Sequence, residues 1–267
     1  MPKIFEITDI NADELKYYTS LTAAELRRNE DVFIAESVKV IKIALNCGLK
    51  PLSFLMEKRQ IEGIGKELIE LSPEIPVYTA PRELLATLTG FELTRGLLAA
   101  MRRPSPKTLD EVLKDARRIA VLEGLSDTTN VGAIFRNAAA LGIDAVLLSK
   151  GCAEPLNRRA VRVSMGSVFL VPWAFFDDES LTTAEYLKQR GFTTAALALT
   201  DNSINVTDEA LKSADKVALF LGAEGDGLSE ETITACDYTV KIPMHNEVDS
   251  LNVASAATIA FWELCKK

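Results

Sequence analysis

Residues 122–142 read LEGLSDTTNVGAIFRNAAALG, and the order of residue types in that stretch decides the fold class. The apolar run RIAVLEGL has the character of a buried strand, and it ends in the polar residues Ser126, Asp127 and Thr128. Asp127, Thr128 and Asn130 are good helix caps, and NVGAIFRNAAALG carries helical spacing from about Asn130 onward. DAVLLS then reads as a second strand. Strand, turn, helix and strand in this order form the crossover unit of a parallel sheet. On the helix, Ala133, Asn137 and Ala140 fall near one face with Arg136 beside them. The small residues allow close approach of another backbone or a ligand. A lone arginine among them is either a surface side chain over the sheet edge or a working group.

Downstream, SVFLVPW, FTTAALAL, KVALFLG and YTVKIPM are further strand candidates separated by helical segments. Nearly continuous apolar strands of this kind imply a mostly parallel sheet with helices on both faces, whose ligand crevice lies beyond the carboxyl ends of the strands. Two of these strands run into unusual loops. Residues 217–231, VALFLGAEGDGLSEE, pass through Gly222, Gly225 and Gly227 before a helix expected near Ser229, with Glu224 projecting from the strand end. That G-x-x-G-x-G spacing is not the dinucleotide-binding G-x-G-x-x-G. Its glycines fit either a tight turn or bare backbone against a flat ligand. Residues 240–264, VKIPMHNEVDSLNVASAATIAFWEL, carry a strand into a polar loop and a final helix, with Ser250 as the expected N-cap and Asn252 in the first turn.

Upstream, VFIA, SVKVIKIALNCG, LSFLM, IEGIGKELIEL, PVYTA and GLLAAM alternate strand and helix patterns, which describes a smaller α/β unit. RRPSPKTLDE, with Pro104 and Pro106, is the best linker. The expected division is residues 1–106 and residues 107–267.

The 267 residues include 48% hydrophobic and 25% charged side chains, a globular composition. No apolar run approaches a bilayer span, and the acidic start MPKIFEITDINADEL does not resemble a secretory signal, so a cytoplasmic protein is expected. Cys47, Cys152, Cys236 and Cys265 form no C-x-x-C pair and read as buried, reduced thiols. With His245 the sole histidine, neither a multi-histidine metal site nor most histidine-based hydrolase chemistry is available. The net charge of −8 argues against bulk attraction to nucleic acid, but it is uneven. Residues 1–106 carry 14 basic against 15 acidic side chains, and the remainder 16 against 23. An anionic partner must be held by local clusters: Arg27 with Arg28, Arg102 with Arg103 and Lys107, Arg117 with Arg118, and Arg158 with Arg159 and Arg162.

Taken together and in order, NVGAIFRNAAALG, LFLGAEGDGLS and IPMHNEVDSLNVASA closely resemble the three signature motifs of the SpoU/TrmH family of RNA ribose methyltransferases, in the SPOUT superfamily. PLNRRAVRVSMGSVFLVP, residues 155–172, looks like that family's stretch between the first two motifs. The first hundred residues resemble, more weakly, the ribosomal-protein-like RNA substrate-binding domain often fused ahead of the catalytic domain, through VFIAES and TRGLLAAMRRP. Two positions depart from the family pattern: Asn246 where glycine is usual, and Asn137 where threonine is common.

The resemblance implies methyl transfer from S-adenosylmethionine to a ribose 2'-hydroxyl of structured RNA, ribosomal RNA in preference to tRNA, by a homodimer with a C-terminal trefoil knot and without metal or membrane. By match to the motifs, Arg136, Asn130, Glu224, Ser250 and Asn252 would be catalytic. Leu199, Thr200, Gly222, Ala223, Glu224, Ile242, Met244 and Leu251 would surround the cofactor, and Arg27, Arg28, Arg102, Arg103, Arg158, Arg159 and Arg162 would meet RNA. Because a guanidinium is effectively always protonated, orientation or charge stabilisation suits Arg136 better than a general-base role. The alternatives are the same reaction on tRNA, a nicotinamide or nucleotide enzyme, and a catalytically silent RNA-binding or assembly factor.

Overall fold

The structure is a computed structural model that describes residues 3–19, 32–89, 96–177, 180–246 and 250–265. The chain forms two compact units, one of Met1–Ser105 with Leu156–Phe169, the other of Pro106–Pro155 with Leu170–Lys267. The segment Leu156–Phe169, which the sequence reading leaves in the second half, therefore belongs to the first unit.

In the first unit, β1 (Ile4–Glu6), β2 (Val32–Glu36), β3 (Pro51–Glu57), β4 (Val77–Ala80) and β5 (Leu97–Arg102) form one sheet in the order β1-β4-β3-β5-β2. β1, β3 and β4 run parallel, while β5 is antiparallel to β3 and β2. β2 is buried along its whole length, and part of its cover is the returning segment. Glu36 at its end is 3% exposed and pairs with Arg158 at 3.3 Å and Arg162 at 3.8 Å. Phe169 lies 5.5 Å from Phe33, ring to ring. A carboxylate buried at a strand end needs such cations, which is why the segment docks here. The expected single helix IEGIGKELIEL is instead two short helices, Lys58–Ile61 and Lys66–Leu71. Between them Gly65 passes so close to Gln60 and Met56 that a Cβ would lie 2.7 Å from each.

The second unit holds β6 (Arg118–Leu122), β7 (Ala145–Leu148), β8 (Trp173–Phe175), β9 (Thr193–Leu197), β10 (Ile204–Asn205), β11 (Val217–Leu221) and β12 (Tyr238–Lys241), in the order β10-β12-β9-β11-β6-β7-β8. Every pairing is parallel. Alternate strand residues point to opposite faces. On one face Ile119, Val121, Leu147, Ala218 and Phe220 pack with Val112, Leu113, Leu187 and Ile233 from three short helices. The residues between them, such as Ala120, Val146 and Leu219, are equally buried. The expected strand SVFLVPW starts late: residues 167–169 make a 3-10 turn after Gly166, at φ 84°, and only Trp173–Phe175 joins the sheet.

Two long helices frame the site. Thr128–Leu141 starts two residues before the expected position, with Asp127 as N-cap accepting from the Thr129 N–H at 2.7 Å, and ends at left-handed Gly142. Val253–Cys265 is the last element and packs against it. Among the described residues no helix is long and apolar enough to cross a membrane.

Candidate active site

At the carboxyl ends of β9, β11 and β12 lies a cavity of about 890 Å³. Its walls come from residues 197–199, from residues 221–228, from residues 240–244, and from Ser250 to Val253 with Ala256. The volume suits a ligand of several hundred daltons. Leu199 is 64% exposed at its edge and Leu251 38%, apolar surface of the kind that a flat aromatic ligand covers.

The wall contributed by residues 221–228 is shaped by two of its glycines. At Gly222 a Cβ would stand 2.2 Å from the carbonyl carbon of Gly227, so no other residue fits. Gly227 has φ 71°, and its N–H and carbonyl both bond to Ala223, at 3.1 and 3.2 Å. Of the two uses open to these glycines, the tight turn accounts for Gly222: its bare face meets the loop's own backbone. The helix Glu230–Ala235 follows, with the expected Ser229 as N-cap.

Glu224 leaves this loop toward the start of the last helix. There Asn252, not Ser250, is the capping residue: its Oδ1 accepts from the N–H groups of Ala254 at 3.0 Å and Ser255 at 3.3 Å. That leaves the other end of the same amide to donate. Asn252 Nδ2 reaches Asn130 Oδ1 at 3.0 Å and Glu224 Oε1 at 2.5 Å. Three residues from three separate motifs, 28 to 122 positions apart, thus meet on one amide. Asn130 is buried, whereas Glu224 and Asn252 face solvent. A second link between the helices comes from Asn137, whose Nδ2 donates to the Ala254 carbonyl at 3.1 Å and Thr258 Oγ1 at 2.7 Å. Asparagine is long enough to span that gap.

The structure does not bring Arg136 into this network. It is exposed on the Thr128–Leu141 helix, with no hydrogen bond or ion pair among the described residues. Ser250 lines the cavity, as do Leu199, Gly222, Ala223, Glu224, Ile242, Met244 and Leu251. Thr200 does not. Its N–H donates to Ser203 Oγ at 2.8 Å and its hydroxyl sits 3.0 Å from Thr239 Oγ1, so it braces the rim from behind. Sequence reasoning missed Asp226, Lys241 and Leu228 as wall residues. Asp226 and Lys241 sit inside stretches already singled out, and only the loop's closure shows their direction.

The basic clusters fare differently. Arg27 and Arg28 lie outside the described residues. Arg102 and Arg159 are exposed, while Arg103 donates to the Val32 carbonyl at 3.3 Å. Arg158 and Arg162 serve Glu36, and burial lowers the Arg158 pKa against the pull of that carboxylate. Arg117 pairs with Asp215, and Arg118 bonds to the carbonyls of Leu264, Ala214 and Asp215. Arg118, Arg158 and Arg162 therefore have partners within the fold.

A family model described as SpoU rRNA Methylase family matches residues 117–262. A relative from Mycobacterium bovis named uncharacterized tRNA/rRNA methyltransferase is 38% identical over 263 residues, covering 98% of this chain and 88% of the relative. One from Acinetobacter baylyi named 23S rRNA (guanosine-2'-O-)-methyltransferase RlmB is 32% identical over 222 residues, covering 80% and 88%. Among solved structures, an AdoMet-bound rRNA methyltransferase from Sinorhizobium meliloti superposes with a TM-score of 0.83 at 24% identity, covering 98% of this chain and 97% of that one. The SpoU methyltransferase AviRb from Streptomyces viridochromogenes, in complex with AdoMet, gives 0.81 at 22% identity, covering 95% and 98%. At those identities the two structures speak for the fold.

Proposed function

The chain belongs to the SpoU rRNA methylase family, and on that premise we propose that the cavity beside Glu224 and Asn252 is where it transfers a methyl group from S-adenosylmethionine to a ribose 2'-hydroxyl of RNA. The single observation that carries the reading is the convergence of Asn130 and Glu224 on Asn252, with Glu224 and Asn252 both lining the cavity. The chain is an S-adenosylmethionine-dependent RNA methyltransferase. Ribosomal RNA is the substrate class preferred over tRNA, because VFIAES and TRGLLAAMRRP resemble the ribosomal-protein-like RNA substrate-binding domain often fused ahead of this catalytic domain.

The wall residues fit this cofactor. Exposed Leu199 and Leu251 offer apolar cover for an adenine. Glu224, Asp226 and Lys241 supply both signs of charge for a ligand that carries a sulfonium, an ammonium and a carboxylate. When bound, the cofactor supplies an activated methyl group on a good leaving group. The chain's own work is alignment and charge. Asn252, immobilised by its cap bonds, fixes the Glu224 carboxylate; Glu224 and Asn130 then orient the ribose, and Ser250 holds the third motif against the target. Arg136, exposed and unpaired among the described residues, stabilises negative charge as it develops on the 2'-oxygen. Alignment of nucleophile and methyl group supplies much of the remaining acceleration.

The first unit is the RNA-recognition module in this reading, through Arg102, Arg159 and the Arg27 and Arg28 pair. The active form is a cytoplasmic homodimer, a state that the exposed Ile259 and Trp262 on the last helix support, and its C-terminal segment is knotted. Calorimetry tests the cofactor: S-adenosylmethionine binds with a Kd in the micromolar range and NAD does not. Binding of NAD in preference would overturn the assignment.

A further inference from the structure

Glu123 stands outside the network just described, yet it closes the loop that carries Glu224. It directly follows β6, and its N–H donates to the Leu221 carbonyl at 2.9 Å, which ties it to the end of β11 where the loop departs. Its carboxylate reaches to where the loop returns. Oε1 accepts from the Ser229 N–H at 2.8 Å, and Oε2 accepts from the Thr232 hydroxyl at 2.5 Å. Ser229 Oγ in turn caps the Thr232 N–H at 3.2 Å. Gly124, the next residue, has φ 65°, and a Cβ there would come within 3.8 Å of Ala223. One residue ahead of the first motif therefore meets both ends of residues 222–228, the entry through its backbone N–H and the exit through its carboxylate. Inside that span the Ala223 and Gly227 pairing holds the turn, and Leu228 is buried in the core.

We propose that Glu123 is a positioning residue for the cofactor wall and for Glu224. The inference rests on the reading of the cavity as the S-adenosylmethionine site. A carboxylate is the right group because the Ser229 N–H and the Thr232 hydroxyl both donate to it, one at each oxygen. An amide at the same place keeps an acceptor for the Ser229 N–H only by turning its NH2 group to Thr232 Oγ1, which must then accept, and the charge that strengthens both bonds is lost. With the exit of the loop released, residues 222–228 keep, among the described residues, their internal pairing, the buried Leu228 and the bond from Asn252 to Glu224. The cavity wall and the carboxylate then lose their common frame.

The test uses the full chain and S-adenosylmethionine itself. Glu123→Gln should raise the calorimetric Kd by about tenfold and lower kcat by a similar factor, while KM for RNA stays within about twofold. Thr232→Val, which removes one of the two donors, should shift Kd by about threefold, and Glu123→Asp should recover part of the loss. Asp144→Asn is the control for a merely structural effect: Asp144 accepts from the N–H groups of Arg117 and Arg118, both at 2.8 Å, at the opposite end of β6. That variant should lower the melting temperature and leave Kd unchanged. If Glu123→Gln binds the cofactor as wild type does, or if Asp144→Asn weakens binding equally, the positioning role is wrong. Failure of the wild-type chain to bind S-adenosylmethionine would instead remove the reading of the cavity.

Discussion

The two ends of the seven-stranded sheet are built from similar residue types and put them to opposite uses. At the amino ends, charges are consumed within the fold. Asp144 takes the N–H groups of Arg117 and Arg118, and Arg118 bonds to the Leu264 carbonyl near the end of the last helix, where a cation also complements the helix dipole. Asp237 Oδ2 accepts from the N–H and hydroxyl of Thr194, both at 2.9 Å, and its other oxygen meets Lys188 at 2.9 Å. At the carboxyl ends, Glu224 and Asn252 face solvent and leucines line an open cavity. Closed charges stabilise the sheet, and the proposed function assigns the open ones to a ligand. Substitutions at one end should therefore be felt in activity and at the other in stability.

The largest separation is expected at Arg136. Arg136→Ala should lower methyl transfer by roughly 100- to 1,000-fold, the usual loss when one group that stabilises developing charge is removed. Its cofactor Kd and melting temperature should stay near wild type. A variant that retains activity would remove Arg136 from the reaction.

Asn252→Ala tests the point where the two uses overlap, because this amide both caps a helix and holds Glu224 and Asn130. The lost cap costs about 1 kcal/mol, and kcat should fall by about tenfold or more as Glu224 is released. A melting temperature lowered by a few degrees with kcat intact would show the amide to be structural only.

The smallest effect belongs to the amino end. Burial works against ionisation of Asp237, but the Thr194 N–H, Lys188 and the Thr194 hydroxyl outweigh it and hold its pKa below the ordinary carboxylate value. A depressed folded pKa contributes stability above the unfolded value of about 4 and loses it as the pH falls toward the folded one. Because Asp237 is partly exposed, that contribution is about 1 kcal/mol or less. Asp237→Asn should thus melt a few degrees lower than wild type at pH 7, with the gap closing below about pH 4 and kcat unchanged throughout. A gap independent of pH would show that the charge is not what Asp237 contributes.

Periodicity made the parallel sheet and its crevice legible, because β6, β7, β9, β11 and β12 are short apolar runs ending in polar loops. It missed β1 and β10, of three and two residues, which have too few side chains to carry a pattern. Of the site, the resemblance to the family's motifs grouped Asn130, Glu224 and Asn252, and hydrogen bonds join these three in the structure. Their wiring was not legible. Ser250 and Asn252 are equally good caps by type, and only the chain path decides for Asn252. The partners of the arginine clusters were not legible for a related reason. Neighbours in sequence suggest a shared surface, yet Arg158 and Arg162, one turn apart on a helix, converge on Glu36 from a distant strand. Cys47, read as a buried thiol, is exposed because it falls at the C-cap of its helix.

The central claim is transfer of a methyl group to a ribose oxygen, and it is tested most directly by incubating the full chain with S-adenosylmethionine labelled in its methyl group and ribosomal RNA lacking prior modification. The RNA is then digested to nucleosides and the position of the label determined. The account predicts label in a single 2'-O-methylnucleoside, and none with Arg136→Ala. Label on a base, or no label on any RNA offered while S-adenosylmethionine still binds, would contradict it.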